Sequence, residues 1–155
     1  MREPRRQKRR IIYIFSEGKT NKTEQIYFHN FVNRCRYTIH FKRSNETDAK
    51  GILSFAQEYL ELQDFSAKEG DRAFIVCDVD TEEKRQVILR SELVVKARKV
   101  NITFIFSNPC FELWFLNHFR YTTKQFSDSE SLIAELKKEI PSYSKSPKAE
   151  ITSIF

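Results

Sequence analysis

Residues 73–80 read Ala-Phe-Ile-Val-Cys-Asp-Val-Asp, an apolar run that stops at two aspartates. The length of the run and its β-branched and aromatic content favour a short buried strand. Strands that are apolar throughout, rather than alternating, are typical of parallel sheets covered by helices on both faces. The segment therefore predicts one strand of a parallel α/β sheet, with the aspartates at its carboxyl end.

The sequence on either side of this segment predicts three more strands and the helices that connect them. Residues 11–15, 37–42 and 101–106 fit strands. The spacing of apolar residues predicts helices over about 22–35, 48–65, 82–99, 111–119 and 129–140. Alternation of strands and helices predicts a mostly parallel four-stranded sheet with helices on both faces, which is a Rossmann-like α/β fold.

For two of the predicted helices, the sequence also indicates which residues cap the helix or face the core. In the helix over 48–65, Thr47 or Asp48 would cap the first turn. Its apolar stripe would consist of Ile52, Phe55, Tyr59 and Leu62. In the helix over 82–99, the inward residues would be Val87, Leu93, Val94 and Ala97.

Composition limits the class of protein. A chain of 155 residues with 40% hydrophobic residues and 14 Phe suits one packed domain. No apolar run approaches the ~20 residues of a membrane helix, and no small-residue cleavage site follows the basic N-terminus. Cys35, Cys77 and Cys110 lie far apart, which fits neither a disulfide framework nor a zinc site. We therefore expect a cytoplasmic protein with reduced thiols that does not enter a membrane.

The positive charge is concentrated at the N-terminus. The net charge is +6, and residues 1–10 contain six basic residues and one acidic residue. Such a segment either contacts nucleic-acid phosphates by counterion release or is simply a solvated terminus. We divide the chain into a basic disordered tail (1–10), an α/β domain (11–140) and a C-terminal extension (141–155).

Polar residues follow three of the predicted strands directly. In parallel sheets, ligands bind beyond the carboxyl ends of the strands. If the strand order is 2-1-3-4, the polar groups after strands one, three and four share one edge of the sheet. These groups are Glu17, then Asp78 and Asp80, then Ser107 and Asn108, with Glu112 in the helix that follows.

Carboxylates that lie close together repel one another and need a counter-charge. Mg²⁺, or Mn²⁺ in its place, prefers oxygen ligands and would supply that charge. Asp78 and Asp80 are two residues apart, so an extended segment places their side chains on one face. Glu17 would be a third ligand or a proton-transfer group, and a metal held there can act on a phosphodiester.

Simpler interpretations of the same residues stay open. An Asp-x-Asp after a strand is often a turn or a helix cap. Ser107 and Asn108 could serve only as a cap, with Glu112 favoured by the helix dipole. Lys19 and Lys22 in the loop after strand one would hold a phosphate near the metal, or would be solvated charges. We expect His118, Trp114 and Phe115 to be structural.

Three blocks of sequence resemble the RloB-like family, which is related to the AbiLii abortive-infection proteins. The first is Glu17-Gly18 followed by Lys22-Thr23-Glu24, in a loop two residues longer than the family pattern. The second is the apolar strand that ends in Asp-x-Asp at 78–80. The third and most specific is Ser-Asn-Pro-x-Phe-Glu-x-Trp at 107–114, with His118 nearby.

The resemblance implies a Toprim-like domain, the metal-binding fold of topoisomerases, primases and some nucleases. It implies that Glu17, Asp78 and Asp80 bind Mg²⁺ and serve phosphodiester chemistry, with Asn108 and Glu112 as further candidates. It also implies a role in bacterial phage defence beside an ATPase of the structural-maintenance type. The C-terminal extension is shorter than the resemblance leads us to expect.

Three hypotheses about function follow. The first is a metal-dependent nuclease that cleaves DNA or RNA in abortive infection. The second is a non-catalytic module that binds nucleic acid or recruits the ATPase, and the third is a receiver-type domain with a phospho-accepting Asp. The candidate catalytic residues are Glu17, Asp78, Asp80 and Glu112, and the candidate substrate-binding residues are Lys19, Lys22, Ser107 and Asn108. Whether the chain forms a homo-oligomer is open.

Overall fold

The computed structural model describes residues 10–18, 23–32, 36–80 and 92–144. Its four strands form one sheet, in which every pairing is parallel and the spatial order is β2-β1-β3-β4. The strands are β1 (Ile11–Ser16), β2 (Thr38–Arg43), β3 (Arg72–Asp78) and β4 (Ile102–Ser107). The predicted α/β fold with a parallel sheet is confirmed, and so is the order that brings strands one, three and four together.

Five α-helices lie in the described part of the chain, with a short 3₁₀ helix (Ala67–Glu69) before β3. They are α1 (Thr23–His29), α2 (Ala49–Glu61), α3 (Glu92–Lys99), α4 (Glu112–Phe119) and α5 (Ser129–Glu139). The carboxylate of Asp48 accepts a hydrogen bond of 2.9 Å from the Gly51 N–H, so Asp48 caps α2 as predicted. The predicted helical residues 82–91, including Val87, lie outside the described residues.

One face of the sheet is covered by α2 and α3. Phe15 of β1 and Ile75 of β3 are fully buried there, against Ile52 and Ala56 of α2 and Ala97 of α3. Leu93 and Val94 pack against the same core. The inward positions predicted for α3 are therefore confirmed where they are described.

The opposite face is covered by α1, α4 and α5. Ile14 of β1 and Val76 of β3 pack there against Tyr27 of α1, Phe115 of α4 and Leu132 of α5. Both faces of the central strands are thus buried, which explains why those strands are apolar throughout.

The prediction is wrong for one residue of the apolar stripe on α2. Leu62 is 83% exposed, and Leu53 and Leu60 are buried instead. Because α2 ends at Glu61, Leu62 lies beyond the last helical turn and the helical spacing no longer applies to it.

Candidate active site

Three neighbouring strands end in polar side chains on the face covered by α1 and α4. Alternation along a strand places Ser16 on the same face as Ile14, and Asp78 on the same face as Val76. Asp78 pairs with Ser107 across β3 and β4, and Ser16 pairs with Val76 across β1 and β3. The carboxyl edge of the sheet therefore presents hydroxyl and carboxylate groups beneath the starts of two helices.

Glu112 enters this edge from the first turn of α4. Its side chain is buried, and its carboxylate accepts a hydrogen bond of 3.0 Å from the Tyr143 hydroxyl. Burial, together with a hydrogen bond to Glu112, raises the pKa of the Cys110 thiol to about 12.

The interpretation of Ser107 and Asn108 as a cap of α4 is wrong. Phe111 occupies the N-cap position, and no side chain there bonds to the helix. The Ser107 hydroxyl instead accepts a hydrogen bond of 3.1 Å from the indole N–H of Trp114. Asn108 is exposed beside the site.

Glu24 enters the same edge from the first turn of α1. Its side chain is 4% exposed, and its Oε2 atom has no hydrogen-bond partner within the described ranges. The pKa of this carboxyl group is raised to about 7, mainly by burial and to a smaller extent by the charges of Glu112 and Glu17, while a backbone hydrogen bond lowers it. The Arg43 guanidinium acts in the opposite sense.

Asp78 lies at the centre of this group of carboxylates. Burial raises its pKa to about 8. That rise includes smaller contributions from the charges of Glu24, Glu112, Glu17 and Asp80, in that order. These five side chains, which we call the carboxylate cluster, are close enough for each to disfavour the ionised form of Asp78.

The structure thus brings together all four predicted catalytic residues. Glu17 is half-buried just after β1, and Asp80 is exposed just after β3. Lys19 and Lys22 lie outside the described residues, as does the basic tail apart from Arg10.

The donor chemistry of the cluster fits a hard divalent cation. Its members offer carboxylate oxygens, with the Ser16 hydroxyl beside them, which are the ligand types that Mg²⁺ and Mn²⁺ accept. Two buried oxygens, Glu24 Oε2 and Ser16 Oγ, have no hydrogen-bond partner among the described residues. In the described ranges, no three Asp, Glu, His or Cys side chains are grouped so that they could hold a metal ion.

Sequence reasoning gave no role to Glu24 or to Tyr143. A signal for Glu24 was present, because Glu24, Tyr27, Phe28 and Phe31 follow helical spacing. A carboxylate that lies on the apolar stripe of a helix is expected to face the core. No local signal linked Tyr143 to Glu112, because 31 residues separate them.

Of the residues expected to be structural, Phe115 lies in the core and His118 contacts α1. Phe115 is fully buried, and the His118 Nε2 atom lies 3.0 Å from the Tyr27 hydroxyl in a hydrogen bond. Across the ranges that the structure covers, no helix has the length and apolar character needed to cross a bilayer.

Comparison with known proteins gives one informative result. Residues 12–154 match the family model described as RloB-like protein. No curated protein and no solved structure matches the chain.

Proposed function

The chain belongs to the RloB-like protein family, and from this membership and the carboxylate cluster we propose that it is a metal-dependent nuclease that acts on nucleic-acid phosphodiesters. The observation that carries the proposal is the burial of Glu24 and Glu112 beside Asp78 at the carboxyl edge of a parallel sheet. Burying carboxylates close to one another destabilises the fold, so their presence together favours a functional role.

Glu17, Asp78 and Asp80 would hold Mg²⁺ or Mn²⁺ in this proposal, and Glu24 reaches the same edge of the sheet from α1. A bound divalent cation supplies Lewis acidity toward a phosphodiester oxygen. Metal binding would require these carboxylate side chains to move closer together, because the carboxylates of the described residues are not already grouped as a metal site. A Glu after the first strand and an Asp-x-Asp at the end of the third are the pattern that the family resemblance implies for a Toprim-like domain.

The other residues of the edge would handle protons and substrate. Glu24 has a pKa of about 7, so it can give or accept a proton near neutral pH. Glu112 is fixed by Tyr143, which suits a positioning role. Asn108, Ser107, Lys19 and Lys22 remain the proposed contacts to the nucleic acid.

The family resemblance extends the proposal to biological context. We propose that the protein acts in phage defence by abortive infection, together with an ATPase of the structural-maintenance type. We place it in the cytosol, where Cys77 and Cys110 would stay reduced.

A cleavage assay tests the proposal. Supercoiled plasmid and structured RNA are each incubated with the protein in Mg²⁺, in Mn²⁺ and in EDTA. The same set is run with the double variant Asp78→Asn/Asp80→Asn and with Glu58→Gln, an exposed carboxylate of α2. We expect cleavage that needs metal, is lost in the double variant and is unchanged in Glu58→Gln.

Absence of cleavage with either substrate, even with the ATPase present, would contradict the nuclease proposal. Salt-sensitive binding that the double variant retains would then favour the alternative, a module that binds nucleic acid without cutting it.

A further inference from the structure

A pocket of about 270 Å³ opens beside the carboxylate cluster, between the end of β4 and the exposed side of α4. Its apolar walls include three aromatic rings, and its polar groups come from three further side chains. The rings belong to Tyr27, Phe106 and Trp114, and the polar side chains to Ser107, Asn117 and His118.

The pocket adjoins the carboxylate cluster directly. Ser107 lines the pocket and is also the residue that pairs with Asp78 across β3 and β4. A ligand in the pocket would therefore lie one strand away from the central carboxylate.

Hydrogen bonds and ring contacts hold the walls in place. The Trp114 indole N–H donates to Ser107, and the indole stacks on Phe111 with ring centroids 5.1 Å apart. The Tyr27 hydroxyl is hydrogen-bonded to the His118 ring. Because these contacts exist before any ligand arrives, less side-chain ordering is needed on binding.

The lining favours a flat, uncharged ring over a phosphate. It contains no Lys, Arg, Asp or Glu among the described residues, and the neighbouring carboxylates repel anions. Asn117 is exposed, and its carboxamide forms no hydrogen bond with the described part of the chain. A carboxamide offers both a donor and an acceptor, which is the pairing that a base edge requires.

We propose that this pocket receives one unpaired nucleobase of a single-stranded nucleic acid whose backbone passes the carboxylate cluster. The inference rests on the proposed nuclease function and adds a substrate class to it, namely strands with an unstacked base. Aromatic walls bind unpaired bases with little regard to sequence, and Asn117 would add selectivity for the base edge.

The pocket contains its own reporter, because Trp114 is the sole tryptophan of the chain. The full chain is titrated in EDTA with a single-stranded oligonucleotide of about 12 nucleotides, as DNA and as RNA. An oligonucleotide of the same length with every base removed serves as the comparison. We expect the intact strand to quench Trp114 fluorescence, and the abasic strand to leave it unchanged.

A pair of variants tests the role of the carboxamide. Asn117→Ala should weaken binding of the intact strand by about fivefold, which is the usual effect of losing one hydrogen bond. Gln57→Ala removes a carboxamide from α2, on the opposite face of the sheet, and should leave the affinity unchanged.

Equal quenching by intact and abasic strands would overturn the inference, and so would Asn117→Ala binding like the parent protein. Cleavage is measured on the same strands in Mg²⁺. Base-dependent quenching without cleavage would contradict the nuclease proposal alone. Cleavage without base-dependent quenching would contradict the pocket alone.

Discussion

Among single residues, Asp78 and Glu24 make the folded state sensitive to pH. Burial and neighbouring carboxylates raise their pKa values to about 8 and about 7, from ordinary values of 3.8 and 4.5. The folded protein therefore holds these protons after the unfolded chain has released them. This favours folding below about pH 4, and the advantage is lost as pH rises through the folded pKa values.

The metal-free protein should consequently be less stable at pH 8 than at pH 5, by on the order of a few kcal/mol. Glu135 does not contribute in this range, because Lys138 and Arg120 lower its pKa to about 2 and its effect is confined to acid pH. Urea unfolding in EDTA at both pH values measures the difference.

Asp78→Asn should flatten this dependence and should be more stable than the parent protein at pH 8. Asp48→Asn is the control, since Asn caps a helix as well as Asp does. An unchanged slope in Asp78→Asn would contradict the electrostatic description of the cluster.

Tyr143 stabilises the buried carboxylate of Glu112. Tyr143→Phe removes the hydroxyl that donates to Glu112, so the free energy of unfolding should fall by about 1–3 kcal/mol. Tyr121→Phe makes the same chemical change at a side chain that is 89% exposed, and should have no effect. Equal free energies of unfolding for the two variants, measured in urea, would show that the hydrogen bond from Tyr143 to Glu112 does not stabilise the fold.

At the scale of elements, the amino end of the sheet is held by Asp71. This residue is 2% exposed, and its two carboxylate oxygens accept hydrogen bonds from Ile11 N–H at 2.9 Å and from Ser66 N–H at 3.1 Å. The first bond joins the start of β1 to the start of β3, and the second closes the loop around the 3₁₀ helix.

Asp71→Asn should lower the free energy of unfolding by about 2 kcal/mol, because an amide replaces one of two charged acceptors. Metal-dependent cleavage measured well below the unfolding temperature should not change, since Asp71 lies at the opposite end of the sheet from Asp78. A loss of cleavage without a loss of stability would contradict this division between the two ends.

The strands were predicted more closely than the helices, for a physical reason. Each strand is a short apolar run closed by polar residues, so its bounds are visible in the sequence, as at Ser16 and Asp78. Helix ends depend on tertiary packing and on caps. This is why α2 ends at Glu61, four residues before the predicted limit, and why Leu62 was misplaced.

For the whole molecule, strand order and register decide which distant residues meet. The sequence predicted that Glu17, Asp78, Ser107 and Glu112 share one edge, because parallel strands end together. It could not place Tyr143 on Glu112, since that contact depends on how α5 and the residues after it pack against α4.

The two ends of the sheet differ in the hydrogen bonding of their buried carboxylates. Both carboxylate oxygens of Asp71 at the amino edge accept hydrogen bonds, whereas Glu24 at the carboxyl edge has a buried oxygen that no described residue bonds. Proteins retain such destabilising groups mainly where function needs them. The carboxyl edge is therefore where the proposed metal and substrate would bind.

Calorimetric titration with Mn²⁺ at pH 7 tests the central claim most directly. The titration is run in two buffers with different enthalpies of ionisation, on the parent protein and on Asp78→Asn. Because Asp78 and Glu24 hold protons near this pH, metal binding should release about one proton per ion. We expect binding with proton release in the parent protein and neither in Asp78→Asn, whereas no binding by the parent protein, or equal binding by both, would contradict the claim that this edge is a metal site.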